Sequence, residues 1–479
     1  MATISSTGIG SGIDVDSLIT KLMSLQQQPI TDITKSSAGL QTQLSVYGQV
    51  KSALSTLRDA SAKLTSPSMW NSVKATSADA SSVAVTASGT PATGNTNISV
   101  SQLASTQSLA TASFASTSTT VGSGTLSIQL GTWAMGTQGS TPAFTAKSGS
   151  SAVNITINAT DQLSDVRDKI NAANAGVSAA IVQDASGSRL TITSQNTGET
   201  NGFRIQAQPD ANDTGGLSGL NFDPQSSASN MTMSLQAVNA RAIINGLPIS
   251  SESNTLNNTI DGLNILLLKV TPPVSISIAS DTDAIRKAIS DFTSAYNAVN
   301  SLIRTQTKYD ASTKTAAPLQ GDSTANSLAS QLRTIVGSSS TLGGSITRLS
   351  DLGLAPATDG SLGAVGTKVD NALSNNLAGL KAFFMGVDSS NDGNNGIAVK
   401  LRSLSDKVLS VDGSISSRSQ GIQNQIDRNS KRIDELTSRN DSMEARLRAQ
   451  YSALDGTMSQ YSSLSTYLTQ QLTLMNNSR

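Results

Sequence analysis

The chain has 479 residues, and its 33 Lys and Arg residues balance 33 Asp and Glu residues, so its formal net charge is zero. This length exceeds a single compact core and predicts about three domains, while the charge balance gives no general attraction to nucleic acid or to anionic membranes. Cysteine and histidine are both absent, which excludes disulfides, Cys-His and Ser-His-Asp nucleophilic sites and histidine-ligated zinc.

The chain opens with MATISSTGIGSGIDVDSLITKLMSLQQQPI, in which alternate glycines precede an apolar stripe. The stripe consists of Ile13, Leu18, Ile19, Leu22 and Leu25. A glycine loop that holds a dinucleotide follows an apolar strand, and MATISST is too short and too polar to form one. The start also lacks the basic residues and the apolar core of a Sec signal peptide. We therefore predict no cofactor site, and we interpret residues 1–30 as a flexible terminal segment.

Residues 31–72 are predicted to form the N-terminal helix of a helical leg domain. Apolar residues recur at steps of three, four and seven from Ile33 to Leu64, which is helical spacing. Pro29 precedes this stretch, where proline can begin a helix or separate it from an upstream one. The pattern stops at SPSMW, which contains Pro67.

Between residues 73 and 280 the period changes to two. Val, Ile and Thr alternate with small polar residues in segments such as TLSIQL and VSISIAS, which predicts β-strands. Asn245-Gly246 lies between apolar residues and predicts a two-residue hairpin turn.

This β-rich stretch is divided by composition. Residues 73–104 and 161–280 are assigned to a β-rich domain, and the Ser/Thr/Gly-rich residues 105–160 to a variable outer β domain inserted into it. The segment QLSDVRDKINAAN (162–174) interrupts the strands and predicts a short helix with Ser164 as its N-cap.

Helical spacing returns at Asp281 and predicts that residues 281–424 complete the helical leg domain. Within them, DSSNDGNNG (388–396) begins like a calcium loop, but Val399 stands where a closing Glu is needed. We expect a surface turn there and no metal site. Acidic pairs such as Asp165 with Asp168 are expected at helix starts, so no catalytic residue is predicted.

Residues 425–479 show the strongest periodic pattern. The positions at steps of seven from Ile426 form a first heptad seam, and all of them are apolar or aromatic except Asn440. Such a repeat is typical of a coiled-coil helix. Polar residues such as Asn429 and Gln450 interrupt the second seam. We therefore predict a coiled-coil segment that is mobile in the monomer and becomes ordered when several copies pack.

The predicted fold class follows from this order of segments. A helical stripe is marginal alone in water, and the simplest way to bury both terminal stripes is to pack them against each other. We predict an α+β multidomain protein with a helical coiled-coil or bundle domain built from both chain ends and β-rich outer domains inserted between them.

Four segments taken together carry a resemblance to a known family. They are the opening GIGSGIDVDSLITKLMSLQQQPI, residues 162–199, INGLPISSESNTLNNTIDGLNILLL (244–268) and DTDAIRKAISDFTSAYNAVNSLI (281–303). The opening is similar to the start of the flagellar hook-associated protein 2 family, the caps of flagellar filaments, and residues 162–199 resemble the flagellin-type motif of its outer domains. The other two segments resemble the one that closes the β region and the helix that follows it. Residues 105–150 match nothing in the family, and AVGTKVDNAL replaces the usual aspartate-containing continuation after DLGLAPATDGSLG.

The resemblance implies a structural protein without enzymatic activity. Such a protein is exported unfolded by the flagellar type III apparatus and forms a ring, commonly a pentamer, at the distal tip of the extracellular filament. The implied partners are further copies of itself, flagellin, the hook–filament junction protein and a cytoplasmic export chaperone. Host mucin is a further candidate partner that the sequence leaves open, whereas nucleic acid and membrane insertion are not expected. The residues expected to make assembly and filament contacts are Ile13, Leu18, Ile19, Leu22, Leu25, Ile433, Leu436, Leu447, Leu454, Leu464 and Leu468.

Three alternatives stay open at this point. Another axial flagellar protein, such as a junction protein or a flagellin, shares the plan of helical ends and a β middle. A host-surface adhesin would bind mucin or glycans through the outer domains. A secreted glycosidase would need paired acids, and the 3% aromatic content is low for a sugar-binding cleft.

Overall fold

The computed structural model describes residues 14–134, 141–211, 213, 216–226 and 229–476. Its helices are α1 (Val15–Gln26), α2 (Gln28–Leu64), α3 (Pro67–Trp70), α4 (Leu163–Ala172), α5 (Thr282–Thr307), α6 (Ser323–Gly337), α7 (Thr367–Asn375), α8 (Leu377–Met385), α9 (Ile397–Leu409) and α10 (Ser414–Asn476). Its strands are β1 (Val73–Ser77), β2 (Val83–Ala87), β3 (Gly94–Gln102), β4 (Ser108–Ala110), β5 (Gly124–Ala134), β6 (Ala143–Ala146), β7 (Val153–Ile157), β8 (Val177–Asp184), β9 (Gly187–Ser194), β10 (Gly202–Pro209), β11 (Thr232–Leu235), β12 (Ala240–Ile244), β13 (Leu247–Ser251), β14 (Thr255–Ile260), β15 (Leu263–Leu267), β16 (Thr271–Ser280), β17 (Tyr309–Asp310) and β18 (Thr315–Ala316).

The chain divides into two compact units. The helical unit contains the described residues through Trp70 together with those from Thr282 onward, and the β unit contains Asn71–Asp281. The predicted α+β fold class is confirmed, because both chain ends are helical and the strands of the long middle segment lie between them. The two chain ends also belong to one unit, as their amphipathic patterns indicate.

The core of the helical unit surrounds α2. This helix packs against α5, α9 and α10, and its inward face presents residues such as Tyr47, Leu54 and Leu57, which are fully buried. Phe384 of α8 closes the core against Phe292 and Trp70 through aromatic contacts. Large apolar side chains buried at helical spacing stabilise such a bundle by about 1.5–3 kcal/mol each.

A buried polar cluster ties the start of α10 to two other helices. The Asp322 carboxylate caps α6 by accepting a hydrogen bond from the Ala325 N–H at 3.0 Å. It also accepts from the Tyr47 hydroxyl at 2.5 Å and from Arg418 Nε at 2.9 Å. Burial alone would raise the pKa of Asp322, but these three hydrogen bonds and the Arg418 charge outweigh it and hold the pKa below its usual value.

The first core of the β unit lies between two antiparallel sheets. One sheet has the strand order β1-β16-β3-β12-β13 and the other β14-β15-β2, and alternate residues from both enter the same core, among them Ile98, Leu263 and Ile276. The predicted hairpin is confirmed: β12 and β13 are joined at Asn245 and Gly246, whose φ angles of 46° and 87° are those of a type I′ turn.

A second core in the β unit spans residues 109–233. It collects side chains from the sheet β10-β5-β6 with β7, from the sheet β11-β4-β9-β8, and from the helix α4. The N-cap prediction at Ser164 is wrong, because α4 begins at Leu163. The Asp165 carboxylate reaches back to accept a hydrogen bond from the Gln162 N–H at 2.9 Å, so Gln162 occupies the cap position.

Segment 388–396, which begins like a calcium loop, forms a turn that the carboxylate of Asp388 stabilises. Asp388 accepts hydrogen bonds from the Ser390 hydroxyl at 2.6 Å, from the Ser390 N–H at 3.0 Å and from Asn394 Nδ2 at 2.9 Å. These bonds, led by the Ser390 hydroxyl, lower the pKa of Asp388 to about 2. In the part of the chain that the structure describes, no group of three or more acidic residues could hold a metal ion.

Candidate assembly interface

The N-terminal helix α1 is an amphipathic helix with two apolar faces. Its start is capped by Asp14, whose side chain accepts a hydrogen bond from the Ser17 N–H at 2.9 Å. Residues at steps of four share one face of a helix, and Val15, Ile19 and Met23 form the buried face.

The buried face of α1 packs against α10 of the same chain. Val15, Ile19 and Met23 form a small apolar cluster with Leu447 and Tyr451. The two helices run antiparallel, since Asp16 pairs with Arg448 and Gln26 pairs with the earlier residue Asn440. The terminal stripes thus bury part of their apolar surface against each other.

Charged side chains flank this contact. Arg448 Nη1 lies 2.7 Å from Asp16 Oδ1, and its Nε lies 2.9 Å from Glu444 Oε1. The hydrogen bonds to Glu444 and then to Asp16 raise the pKa of Arg448. Because these groups are exposed, the pairs orient the helices and add little stability.

The second apolar face of α1 points to solvent. Leu18, Leu22 and Leu25 lie at helical spacing on this face, and Leu25 is 73% exposed. They line an open depression together with Ser17 and Lys21. A short helix with one face docked and a second apolar face open is suited to contact a further helix.

The end of α10 extends past its contact with α1. From Leu454 to Met475 the large apolar residues of the helix are exposed, with Leu454 at 48% and Met475 at 68%. These residues are Leu454, Met458, Tyr461, Leu464, Tyr467, Leu468, Leu472, Leu474 and Met475, and we call them the distal stripe. No charged residue occurs between Gly456 and Ser478, so a partner would bind the stripe by apolar packing.

The structure separates the residues predicted for assembly into groups. Leu18, Leu22 and Leu25 are exposed on α1, and Leu454, Leu464 and Leu468 are exposed on α10, whereas Ile19 is buried in the intrachain contact. Ile433, Leu436 and Leu447 are half-buried on the part of α10 that packs on the rest of the helical unit. Ile13 lies outside the described residues.

Sequence reasoning missed several residues of this region. Val15 and Met23 complete the buried face of α1, and their spacing of four around Ile19 was the available signal. Tyr451 is the partner on α10 that follows Leu447 by one turn. The ion pair between Asp16 and Arg448 joins residues too distant in sequence for any local pattern to indicate.

No described helix has both the length and the apolar character that crossing a membrane requires. The exposed apolar residues of α1 and α10 are therefore features of helices that are otherwise rich in polar residues. Exposed contiguous apolar surface on such helices marks a site of interaction with other proteins.

Comparisons with known proteins agree along the whole chain. The family model described as flagellar hook-associated protein 2 N-terminus matches residues 11–107, and the one described as flagellar hook-associated protein 2 C-terminus matches residues 237–463. A third model, the flagellin hook IN motif, matches residues 143–196. Both terminal models include residues of the candidate interface.

Individual relatives show the same similarity. The chain is 30% identical over 493 residues to flagellar hook-associated protein 2 of Escherichia coli (strain K12), and 28% identical over 491 residues to that of Salmonella typhimurium (strain LT2), with 100% of each chain covered in both cases. Among solved structures, the flagellar cap protein FliD D1-D2-D3 domains from Escherichia coli match with 29% identity and a TM-score of 0.58, covering 79% of this chain and 99% of that one.

Proposed function

The chain belongs to the flagellar hook-associated protein 2 family, and we propose that it acts as a ring of copies at the distal tip of the bacterial flagellar filament. The cap role is that of a structural protein, as in the similar cap protein of known structure. In this proposal the ring is a pentamer, as the family resemblance implies, and flagellin subunits fold and insert beneath it. The comparisons do not favour a junction protein or an adhesin.

One observation of the structure carries the proposal: the exposed, charge-free distal stripe of α10. About nine large apolar side chains project from a single helix, where burial of each is worth about 1.5–3 kcal/mol. A helix of this kind gains stability when a neighbouring helix covers it. Flagellin or an adjacent copy in the ring supplies that helix in the proposal.

The outer face of α1 is the second contact surface in this proposal. Leu18, Leu22 and Leu25 lie on the helix that packs beside the docked part of α10. A partner helix that covers the distal stripe would continue along the helical unit to reach this face. We assign assembly and filament contacts to these two surfaces, with Ile13 as an additional contact.

Export through the flagellar apparatus is also part of the proposal. A chain without cysteine enters a narrow channel with no disulfide to reduce. The export chaperone of the family would hold the chain before secretion, and the junction protein would contact it when the filament begins. Mucin binding by the β unit would be an activity separate from the cap role, and a pull-down with immobilised mucin glycans tests it.

Aspartates placed in the distal stripe test the cap role. We expect Leu464→Asp with Leu468→Asp to abolish filament elongation in a flagellated host whose own cap gene is deleted, because two charges cannot be buried in an apolar interface. Filament length by electron microscopy and flagellin shed into the medium measure the effect. The matched control is Ser459→Asp with Thr466→Asp, two exposed positions on the face of α10 away from the stripe, which should support filaments of normal length. Normal filaments from the leucine variant would contradict the proposal.

A further inference from the structure

The junction between α1 and α2 is an interruption in an otherwise continuous helical path. Only Gln27 separates the two helices. Pro29 follows at the start of α2 and has no N–H, so the hydrogen bond that residue 29 would donate to residue 25 in an uninterrupted helix cannot form. The backbone can bend here at a lower cost than elsewhere along the path.

A buried side chain from α10 lies against this interruption. Asn440 is 7% exposed, and its Nδ2 donates a hydrogen bond to the carbonyl oxygen of Gln26 at 3.1 Å. Gln26 is the last residue of α1, and the carbonyl groups at a helix end require donors from outside the helix. The polar exception in the first heptad seam therefore has a partner at the break between the two helices.

The rest of the contact that holds α1 is small. Three buried residues of α1 meet two residues of α10, Leu447 and Tyr451. The additional ion pair between Asp16 and Arg448 is solvent-exposed on both sides, where salt screens it. By contrast, α2 packs on α10 along its first half, and its buried residues from Val46 to Leu64 pack into the helical core with α5 and α9. The far end of α2 therefore has an anchor in the core that α1 lacks.

We propose that α1 is a detachable strap: it opens from α10 as one unit about a hinge at Gln27–Pro29, and the hydrogen bond from Asn440 to Gln26 is the latch that keeps it closed. The closed strap covers Leu447 and Tyr451. When it opens, these side chains join the distal stripe, and the apolar surface of α10 extends toward the helical core by about one further turn of helix. This device stands independently of what binds the stripe.

Hydrogen exchange of the full-length monomer tests the latch. We expect Asn440→Ala to speed amide exchange throughout α1 by about fivefold to tenfold, the worth of one buried hydrogen bond. Asn440→Asp keeps the size of the side chain but cannot donate to a carbonyl oxygen, so it should speed α1 exchange at least as much. The matched control is Asn429→Ala, which removes a hydrogen bond to Ser37 on α2 and should leave α1 unchanged. Wild-type exchange in Asn440→Asp would overturn the latch.

A second pair of measurements tests the hinge and guards against misfolding. Leu447→Ala weakens the strap contact without touching the latch, and it should speed exchange in α1 while residues 30–37 of α2 keep their wild-type rates. Pro29→Ala restores the missing donor, so residues 30–37 should then exchange together with α1. Amides of α5 report the integrity of the helical core in every variant. If residues 30–37 already exchange at the rate of α1 in the unaltered protein, the hinge is not at Gln27–Pro29.

The absence of native cysteine allows a direct measure of opening. Spin labels at Thr20→Cys, which lies away from the hinge, and at Ser459→Cys, both at exposed positions, should give one narrow distance distribution in the closed state. Adding Asn440→Asp should add a broad component at other distances. A distribution that stays narrow and unshifted would contradict detachment of the strap.

Discussion

The two halves of α10 share one heptad pattern but differ in their surroundings. The proximal half, through Tyr451, packs on α2 and α1 and contains buried residues such as Ile415 and Ile422. The distal half carries the exposed stripe from Leu454 to Met475. Every charged residue of the helix lies at or before Asp455.

This difference shows that a heptad pattern of apolar residues does not by itself indicate which partner covers those residues. In the proximal half, charged and polar side chains at the edges make specific intrachain contacts, such as Arg418 with Asp322 and Asn429 with Ser37. Beyond Asp455 the distal half has no charged group, and its large apolar side chains are exposed. We infer that the proximal half serves the fold of the monomer and the distal half serves assembly.

The largest expected effect comes from placing one charged residue in each half of α10. Leu447→Asp with Leu454→Asp should abolish filament elongation while the β unit stays folded, because both variants lie in the helical unit. The single variants should then differ. Leu447→Asp should release α1 in the monomer, since it places a charge in the apolar cluster with Ile19 and Met23.

Leu454→Asp alone should leave α1 as well protected from hydrogen exchange as in the unaltered chain, yet it should still reduce filament length. Exchange of the α1 amides and electron microscopy of filaments measure the two effects separately. If Leu454→Asp loosened α1 as much as Leu447→Asp does, the two halves of α10 would not be distinct in the monomer.

The next largest effect concerns Asp322, which anchors the proximal half of α10 through its contact with Arg418. We expect Asp322→Asn to destabilise the helical unit by about 2 kcal/mol, because it removes the charged acceptor of the buried Tyr47 hydroxyl and the ion pair with the partly exposed Arg418. Urea unfolding followed by the fluorescence of Trp70, in a chain whose Trp133 is replaced by Phe, reports this unit alone. The control is Asp291→Asn, whose pair with Lys287 is exposed and should change the midpoint far less.

The same anchor should make the helical unit sensitive to acid. The pKa of Asp322 is lower in the folded protein than in the unfolded chain, where aspartate titrates near about 3.9. The contribution of Asp322 to the stability of the helical unit is therefore fully present at pH values above its pKa in the unfolded chain. This contribution is lost as the pH falls through its lower pKa in the folded protein. Unfolding midpoints of the Trp70 reporter between pH 7 and pH 3 should fall, and Asp322→Asn should remove part of the fall below about pH 4. An unaltered pH profile in the variant would show that the anchor does not respond to acid.

Local sequence patterns predicted much of the fold. Helical spacing from Ile33 to Leu64 predicted α2, although the helix begins at Gln28 and contains Pro29 in its first turn. The seven-residue repeat predicted the long helix that α10 forms. Asn245-Gly246 predicted its hairpin, because both residues tolerate the positive φ angles that the turn requires. Each of these features depends on residues within a few positions of one another.

Features that depend on distant residues could not be predicted in this way. Asp322 joins Tyr47, 275 residues away in sequence, and no periodicity indicates such a pair. The sequence analysis divided the β region at residue 160, whereas one core of the structure draws on residues from 109 to 233. The sequence also did not indicate which apolar residues of α1 are docked and which are open, because Ile19 and Leu18 are adjacent in sequence, yet Ile19 is buried and Leu18 is exposed.

The smallest expected effect comes from the ion pair at the border between the two halves. Arg448 contacts Asp16 on α1 and Glu444 on its own helix, but all three side chains are at least 40% exposed. Arg448→Met should therefore speed exchange of the α1 amides slightly at low salt and by almost nothing at high salt, where the pair is already screened. Because the distal stripe has no charged residue, self-association or flagellin binding through it should keep its strength across the same salt range. Binding that weakens steeply with salt would instead place charged groups of the proximal half in the assembly contact, and it would contradict the separation of roles along α10.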